Sequence, residues 1–297
     1  MANKPRLFYI ICSIYLTFVI FLASTPLITL AIPTTQLIPL TPIAPIPQTA
    51  EDFLAEKTLD VSIDSSDKPE YDIFTYSERR ERKLPTLLPT SVPYYGAKVI
   101  YLTFDDGPDP ENTPTVLRIL KENNIKATFF VLGTEIEKYP ALLKRIYDEG
   151  HGIGNHSYNH IYRQLYQSTA TYTEQLHHTD EIIKSLLNVR PFISRAPGGS
   201  AGSFTKAYWD ILKDQGYIEV GWNISSGDAS NAKADQLINN VIYQTEKNKF
   251  LWSHAILLMH DGKGHTESVK ALPQIIKFYK EQGFEFRIIT SKTPPAW

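Results

Sequence analysis

The stretch "VIYLTFDDGPDP", residues 99–110, decides the fold. Val99 to Phe104 is a run of β-branched, aromatic and apolar residues that reads as a buried strand. It ends in two adjacent carboxylates, Asp105 and Asp106, followed by a Gly107-Pro108 turn. An aspartate-rich turn after a strand is ordinary. Two like charges side by side where a strand leaves the core need a further reason.

Working outward, the pattern of this strand recurs. Short β-prone runs lie near 98–104, 126–131, 151–155, 191–195, 217–222, 255–259 and 284–289. Helical segments separate most of them. One starts at Thr113, with Pro114 in its first turn, and stops at Asn123-Asn124. Another runs through Leu142, Leu143 and Ile146 to Gly150, and others cover roughly 171–188, 204–215, 232–247 and 266–282. Strand alternating with helix predicts an α/β fold with a parallel sheet, and about seven strands in this length suit a small or incomplete (β/α) barrel. The ionisable residues follow the strands: Asp105 and Asp106 after the first, His156 and His160 after the third, Arg195 at the end of the fourth, Asp228 after the fifth, and His260 with Asp261 after the sixth. Barrel active sites form at that end of the strands, where the loops converge.

The rest of the chain bounds its setting. Its 297 residues carry a formal net charge of −2, with no basic face of the kind nucleic acid requires. The single cysteine, Cys12, excludes an internal disulfide and sits in an apolar run, as a buried inert thiol would. Lys4 and Arg6 precede that run, Leu7 to Ala23, which Leu27 to Ile32 can extend past Pro26. A basic start followed by an apolar segment marks residues 1–32 as a cleaved export signal or an uncleaved membrane anchor; its length fits either. Both place the remainder outside the cytoplasm. Prolines 33, 39, 42, 45 and 47 then open a spacer, and residues 33–96 read as a Pro-rich and polar linker, with the basic "SERRERK" at 77–83 as a solvated part of it. The third region is the domain at 97–297.

Within "GNHSYNH", His156 and His160 are four apart, which on a helical turn puts both imidazoles on one side. Two neutral imidazoles and one carboxylate hold a divalent cation while leaving a position open, and either Asp105 or Asp106 can supply the carboxylate. The other histidines, His151, His177, His178, His254 and His265, have no such setting and read as structural or exposed.

"TFDDGP" at 103–108, "HSYNH" at 156–160, "RAPGG" at 195–199, "WNISSGD" at 222–228 and "LMHD" at 258–261 stand in the order found in the polysaccharide deacetylases, the metal-dependent carbohydrate esterases whose domain is also called the NodB homology domain. The chain resembles that family from about residue 97 to 297. The resemblance implies a distorted (β/α) barrel, one divalent cation (zinc first, with cobalt, nickel or manganese as alternatives), and hydrolysis of N-acetyl groups on sugars. By motif it implies Asp105 as catalytic base, Asp106, His156 and His160 as metal ligands, His260 as general acid, Asp228 as the partner that raises its pKa, and Arg195 as the residue orienting Asp105, with a guanidinium fork suited to bidentate contact. Leu258 matches a residue shaping the acetyl-methyl pocket. Trp222, Tyr158 and Tyr162 can offer ring faces to a sugar or serve as packing.

The chain departs from the pattern in two places. Gly198 and Ala229 stand where aromatics are common, as in a bacterial subgroup of the family. Ser225 stands where an Asp is frequent, which leads us to expect an altered pH dependence. The implied substrate is an acetylated cell-wall glycan, most simply peptidoglycan N-acetylglucosamine. Chitin oligomers, acetylated xylan, and a non-catalytic wall-binding role are the alternatives.

Overall fold

The computed structural model describes residues 68–296. The expected signal or anchor at 1–32, Cys12 and the first half of the linker lie outside the described residues. Among the described residues, no helix is long and apolar enough to cross a membrane.

The core is one parallel sheet. Its strands are β1 (Val99–Asp105), β2 (Thr128–Val131), β3 (Gly152–Asn155), β4 (Ile193–Ser194), β5 (Ile218–Glu219), β6 (Ile224–Ser225), β7 (Ala255–His260) and β8 (Glu285–Arg287). The spatial order is β5-β4-β3-β2-β1-β7-β6, with β8 beside the start of β1. The helices are α1 (Tyr76–Glu81), α2 (Asn112–Glu122), α3 (Gly133–Lys138), α4 (Pro140–Asp148), α5 (Tyr162–Leu165), α6 (Thr169–Leu187), α7 (Lys206–Asp214), α8 (Ala234–Lys247) and α9 (Thr266–Glu281). A 3₁₀ turn, Lys249–His254, leads into β7.

All of β1 is buried because the strand is covered on both sides, as central parallel strands are. Ile100, Leu102 and Phe104 join an outer cluster with residues of α2, α4, α8 and α9, including Leu120, Ile146, Val241 and Ile275. Val99 and Tyr101 join an inner cluster with Phe130, Ile193, Val220 and Ile256. Because side chains alternate along a strand, Thr103 and Asp105 share the inner face with Tyr101.

The expected strand at 217–222 is in fact half of a longer extended stretch. Ile218 and Val220 donate backbone hydrogen bonds to Phe192 and Ser194, beside β4, while Asn223 and Ser226 donate to Ile256 and Leu258 of β7. One stretch therefore borders both ends of the sheet path and curls it round. Two short helices, α3 and α5, were not expected. Each is too short to show a helical period.

The linker reading does not extend to the residues just before the barrel. "SERRERK" largely forms α1, with a capping box between Thr75 and Glu78. Asp72 exchanges both backbone hydrogen bonds with Arg190. Arg79 is buried and grips Asp72 through Nε at 2.5 Å and Nη2 at 2.9 Å. Within the run only Arg79 is buried; Ser77, Arg80, Glu81, Arg82 and Lys83 are exposed, as a solvated stretch requires. What the sequence does not show is that Arg79 reaches back to Asp72 and through it to Arg190, far along the chain.

Candidate active site

Asp105 is the last residue of β1, in register with Phe130 of β2 and His260 of β7. The strand fixes its inward direction. Asp106 follows with φ at +73°, a left-handed conformation that few non-glycine residues adopt, so the two carboxylates diverge. Asp105 Oδ1 accepts a hydrogen bond from Arg195 Nη1 at 2.8 Å, and Oδ2 lies 3.7 Å from His156 Nε2. Asp106 Oδ1 lies 3.5 Å from Nε2 of both His156 and His160.

That Asp106 oxygen is buried and has no hydrogen-bond partner. A buried acceptor left unpaired needs an explanation, and two imidazole nitrogens facing it supply one. His156 Nδ1 lies 2.7 Å from the Arg195 carbonyl, which can only accept, so Nδ1 carries the proton and Nε2 presents a lone pair toward Asp106. Burial holds the His156 ring below its usual pKa, in the neutral form that coordinates. Asp106, His156 and His160 thus fit a divalent cation.

Asp228, His260 and His265 form a second group of candidate ligands. Its chemistry differs. The His260 and His265 rings stack at 4.7 Å with only 19° between planes, so their in-plane lone pairs do not converge. Both Asp228 oxygens are already engaged: Oδ1 by His260 Nδ1 at 2.8 Å, Oδ2 by the His260 backbone N–H at 2.8 Å and Ser268 Oγ at 2.5 Å. This arrangement holds a proton. Burial alone would pull His260 down, but the hydrogen bond and charge of Asp228 outweigh it and push the ring up to about 9. Asp228 is held below its usual range: burial would raise it, and the contacts with His260 and Ser268 prevail. His265, expected to be structural or exposed, therefore belongs to the site as the ring covering His260.

Arg195 is fully buried, with its guanidinium 4.1 Å above the Phe130 ring. Its contact with Asp105 is through Nη1 alone, which also donates to Thr103 Oγ at 2.6 Å. The bidentate contact is not formed, because Nε and Nη2 donate to the carbonyls of Val220 and Gly221 at 2.9 and 3.1 Å. Arg195 thus supports Asp105 and at the same time satisfies the backbone between β5 and β6.

Leu258 is buried on β7, in register with Thr103 and Ser225. Trp222 packs over the RAPGG turn: a Cβ on Gly199, whose φ is +86°, would lie 2.8 Å from its ring. Tyr158 is turned elsewhere. It stacks on His178 at 4.2 Å and donates its hydroxyl to Glu137, so it reads as packing against α3 and α6. Tyr162 is the tyrosine at the cluster. It is half-exposed, its ring lies 5.2 Å from that of His160, and its hydroxyl would meet a Cβ on Gly198 at 2.8 Å. Ser225 lies in register with Leu258, on the same face of the sheet; its Oγ accepts from Gly227 N–H, and its backbone pairs with Gln244 of α8. The hydroxyl is thus engaged by backbone rather than by Asp228 or His260, which removes the direct ground for expecting an altered pH dependence.

Asp261, which the sequence marks only as a charge after the sixth strand, and Ser268, which it does not mark, also bear on the site. Asp261 is fully buried, and burial pushes it up to about 7. Thr113 Oγ donates to it at 2.5 Å, and a Cβ on Gly107 would meet its Oδ1 at 2.5 Å. With Asn112 donating to the Gly262 carbonyl at 2.8 Å, this clamps the loop that carries Asp106. Asp261 was legible as a charge beside His260. Ser268 lies in the first turn of a long helix and carries no such signal.

A cation-fitting triad at the carboxyl ends of a curled parallel sheet, with an adjacent carboxylate and a proton-holding imidazole beside it, defines a metal-dependent hydrolase. A family profile described as "Polysaccharide deacetylase" matches residues 94–220. The chain is 39% identical over 203 residues to a peptidoglycan-N-acetylglucosamine deacetylase of Bacillus cereus, covering 68% of this chain and 70% of that protein. The crystal structure of the Bc1960 peptidoglycan N-acetylglucosamine deacetylase superposes with a TM-score of 0.61 at 36% identity, covering 69% of this chain and 92% of that one. The catalytic domain of a peptidoglycan N-acetylglucosamine deacetylase from Eubacterium rectale gives 0.61 at 31%, covering 69% and 96%. The chain belongs to the polysaccharide deacetylase family, a family of metal-dependent hydrolases.

Proposed function

We propose that this protein removes the N-acetyl group from N-acetylglucosamine residues of peptidoglycan, releasing acetate, with one divalent cation held by Asp106, His156 and His160. The observation that carries the reading is the buried, unpartnered Asp106 Oδ1, equidistant at 3.5 Å from two imidazole nitrogens. When bound, the cation supplies Lewis acidity, acidifying water and polarising the acetyl carbonyl. Zinc is the first choice for an imidazole–carboxylate set, with cobalt, nickel and manganese as alternatives that availability decides.

The chain's own groups do the rest. Asp105 Oδ2, the oxygen Arg195 leaves free, takes the proton of the attacking water. Arg195 pairs with that carboxylate at 2.8 Å and fixes its direction. His260 enters charged, held so by Asp228, and its Nε2 delivers a proton to the amine as the carbon–nitrogen bond breaks, since an amide nitrogen is otherwise a poor leaving group. Leu258 and Trp222 wall the site for the acetyl methyl and the sugar ring. The apolar N-terminal segment and the names of the relatives support action outside the cytoplasm, with the domain tethered to the membrane or released to the wall.

The test is acetate release from purified peptidoglycan, with chitin oligomers and acetylated xylan in parallel, with and without chelator. Acetate from peptidoglycan that chelator abolishes supports the reading. Preference for another polymer reassigns the substrate. No acetate and no bound cation in the purified protein leaves a wall-binding role.

A further inference from the structure

Two residues of the loop that follows β3 have backbone conformations they would not choose. Ser157 has φ at +76° and His160 at +58°. Such a conformation is unfavourable for a non-glycine residue and persists only where its surroundings impose it. The restraints here form a chain of hydrogen bonds. Ser157 N–H donates to Asn155 Oδ1 at 3.0 Å, and His160 N–H donates to Ser157 Oγ at 3.2 Å. The Asn155 amide, fully buried, donates through Nδ2 to the Leu176 carbonyl at 2.8 Å and to Asp180 Oδ1 at 2.7 Å.

Asp180, together with the Leu176 carbonyl, decides which way that amide points. An Asn side chain can turn its oxygen and nitrogen end for end, and with the wrong end outward its NH₂ would face Ser157 N–H, donor against donor. A carboxylate beside Nδ2 can only accept, so it excludes the turned form. Asp180 is itself fixed from behind: its Oδ2 accepts from Tyr217 OH at 2.6 Å and Arg190 Nη1 at 3.4 Å. Arg190 has no solvent exposure and reaches on to Asp72 Oδ2 at 3.3 Å, the carboxylate that Arg79 grips. These supports all lie away from the cation cluster, and Asp72 and Arg79 come before the region matched by the family profile.

We infer that Asp180 is a positioning residue for cation binding: by fixing the Asn155 amide, it holds the turn that brings His160 Nε2 beside His156 Nε2 and Asp106. The inference rests on the reading of those three residues as ligands. Partners of metal-binding histidines that do not touch the metal commonly change its affinity by about 10- to 100-fold when removed.

The experiment measures cation dissociation constants, by competition with a chromophoric chelator for zinc, together with the visible absorption spectrum of the cobalt-loaded protein. Asp180→Ala is expected to weaken binding at least about 10-fold and to alter the cobalt spectrum. Asp180→Asn, which keeps an acceptor toward Asn155 in one of its two orientations, falls between Asp180→Ala and the parent, and serves alone if the alanine variant does not fold. Tyr217→Phe removes a group that fixes Asp180 from behind and leaves the Asp180–Asn155 contact; it is expected to lower the melting temperature and to weaken cation binding less than the Asp180 variants do. Parent-like affinity in the Asp180 variants, or an equal loss in Tyr217→Phe, overturns the inference. If the parent protein takes up no cation, the ligand reading itself fails.

Discussion

One carboxylate, Asp228, binds His260 twice: Oδ1 meets the ring Nδ1 at 2.8 Å, and Oδ2 accepts the backbone N–H of the same residue at 2.8 Å. The double contact fixes both the ring's direction and its charge. In the proposed mechanism the charged form of His260 is the proton donor, and its pKa is pushed up to about 9. The donor is therefore present at neutral pH and is lost as pH rises through about 9. The alkaline limb of kcat/KM should fall there. Asp228→Asn removes the charge and leaves burial, which acts downward, so the limb should move to or below the ordinary histidine range, with a loss of about 10²- to 10⁴-fold at neutral pH. A pH–rate profile of the two proteins checks this; an unmoved limb would remove His260 from the role of acid.

In the proposed mechanism Asp105 and Asp106, neighbours in sequence, have separable duties. Asp105→Asn leaves Asp106, His156 and His160 in place but removes the proposed proton acceptor. We expect cation content, measured by elemental analysis, to match the parent while kcat falls by about 10²- to 10⁴-fold. Loss of the cation along with the activity would mean that Asp105, whose Oδ2 is 3.7 Å from His156 Nε2, is a ligand instead.

Much of the fold was legible because β1 is buried on both faces and the long helices α2, α6, α8 and α9 carry an apolar stripe, so each shows its period in the sequence. The triad and the His260–Asp228 pair were legible because each stands in a motif at a strand end. What escaped depends on contacts between distant residues. Nothing near Arg79 announces that Arg190 waits for its partner Asp72. Nothing near Gly198 announces that Tyr162 will cover it. The single-nitrogen contact of Arg195 follows from where Val220 and Gly221 pass, which is a property of how the sheet curls.

Ser225 illustrates how a motif departure can mislead. Its hydroxyl accepts from the Gly227 N–H, a donor that a carboxylate at 225 would meet first, so restoring the family's acid should change little in the chemistry. Ser225→Asp is expected to leave the pH–rate profile unchanged, with any effect confined to a small change in melting temperature. A displaced limb would show that position 225 communicates with His260 after all.

Gly198 has φ at +72°, and its missing side chain is the space occupied by the Tyr162 hydroxyl. Gly198→Ala adds a Cβ in a left-handed conformation and forces the tyrosine aside. A cost of about 1–3 kcal/mol in stability is expected, read by denaturant unfolding. Because Tyr162 flanks His160, KM for a glycan oligomer should rise as well. Unfolding and KM both equal to the parent's would show that the ring has room to move at no cost.

The last prediction concerns where the folded unit begins. A chain starting at residue 97 would contain every motif and still lose Asp72 and Arg79. Arg190, with no solvent exposure, would then keep only Asp180 at 3.4 Å to answer its charge, while Asp180 keeps its contacts with Asn155 and Tyr217. Removing one member of a buried ion-pair network typically costs about 3–5 kcal/mol, against a total stability of about 5–15 kcal/mol. The backbone bonds between Asp72 and Arg190 go as well. We therefore expect a chain starting at 68 to unfold cooperatively at a temperature well above that of a chain starting at 97, which should be poorly folded or unfolded at 37 °C. Equal melting temperatures for the two would show that the segment around α1 only rests on the barrel and that Arg190 finds water or another acceptor when it leaves.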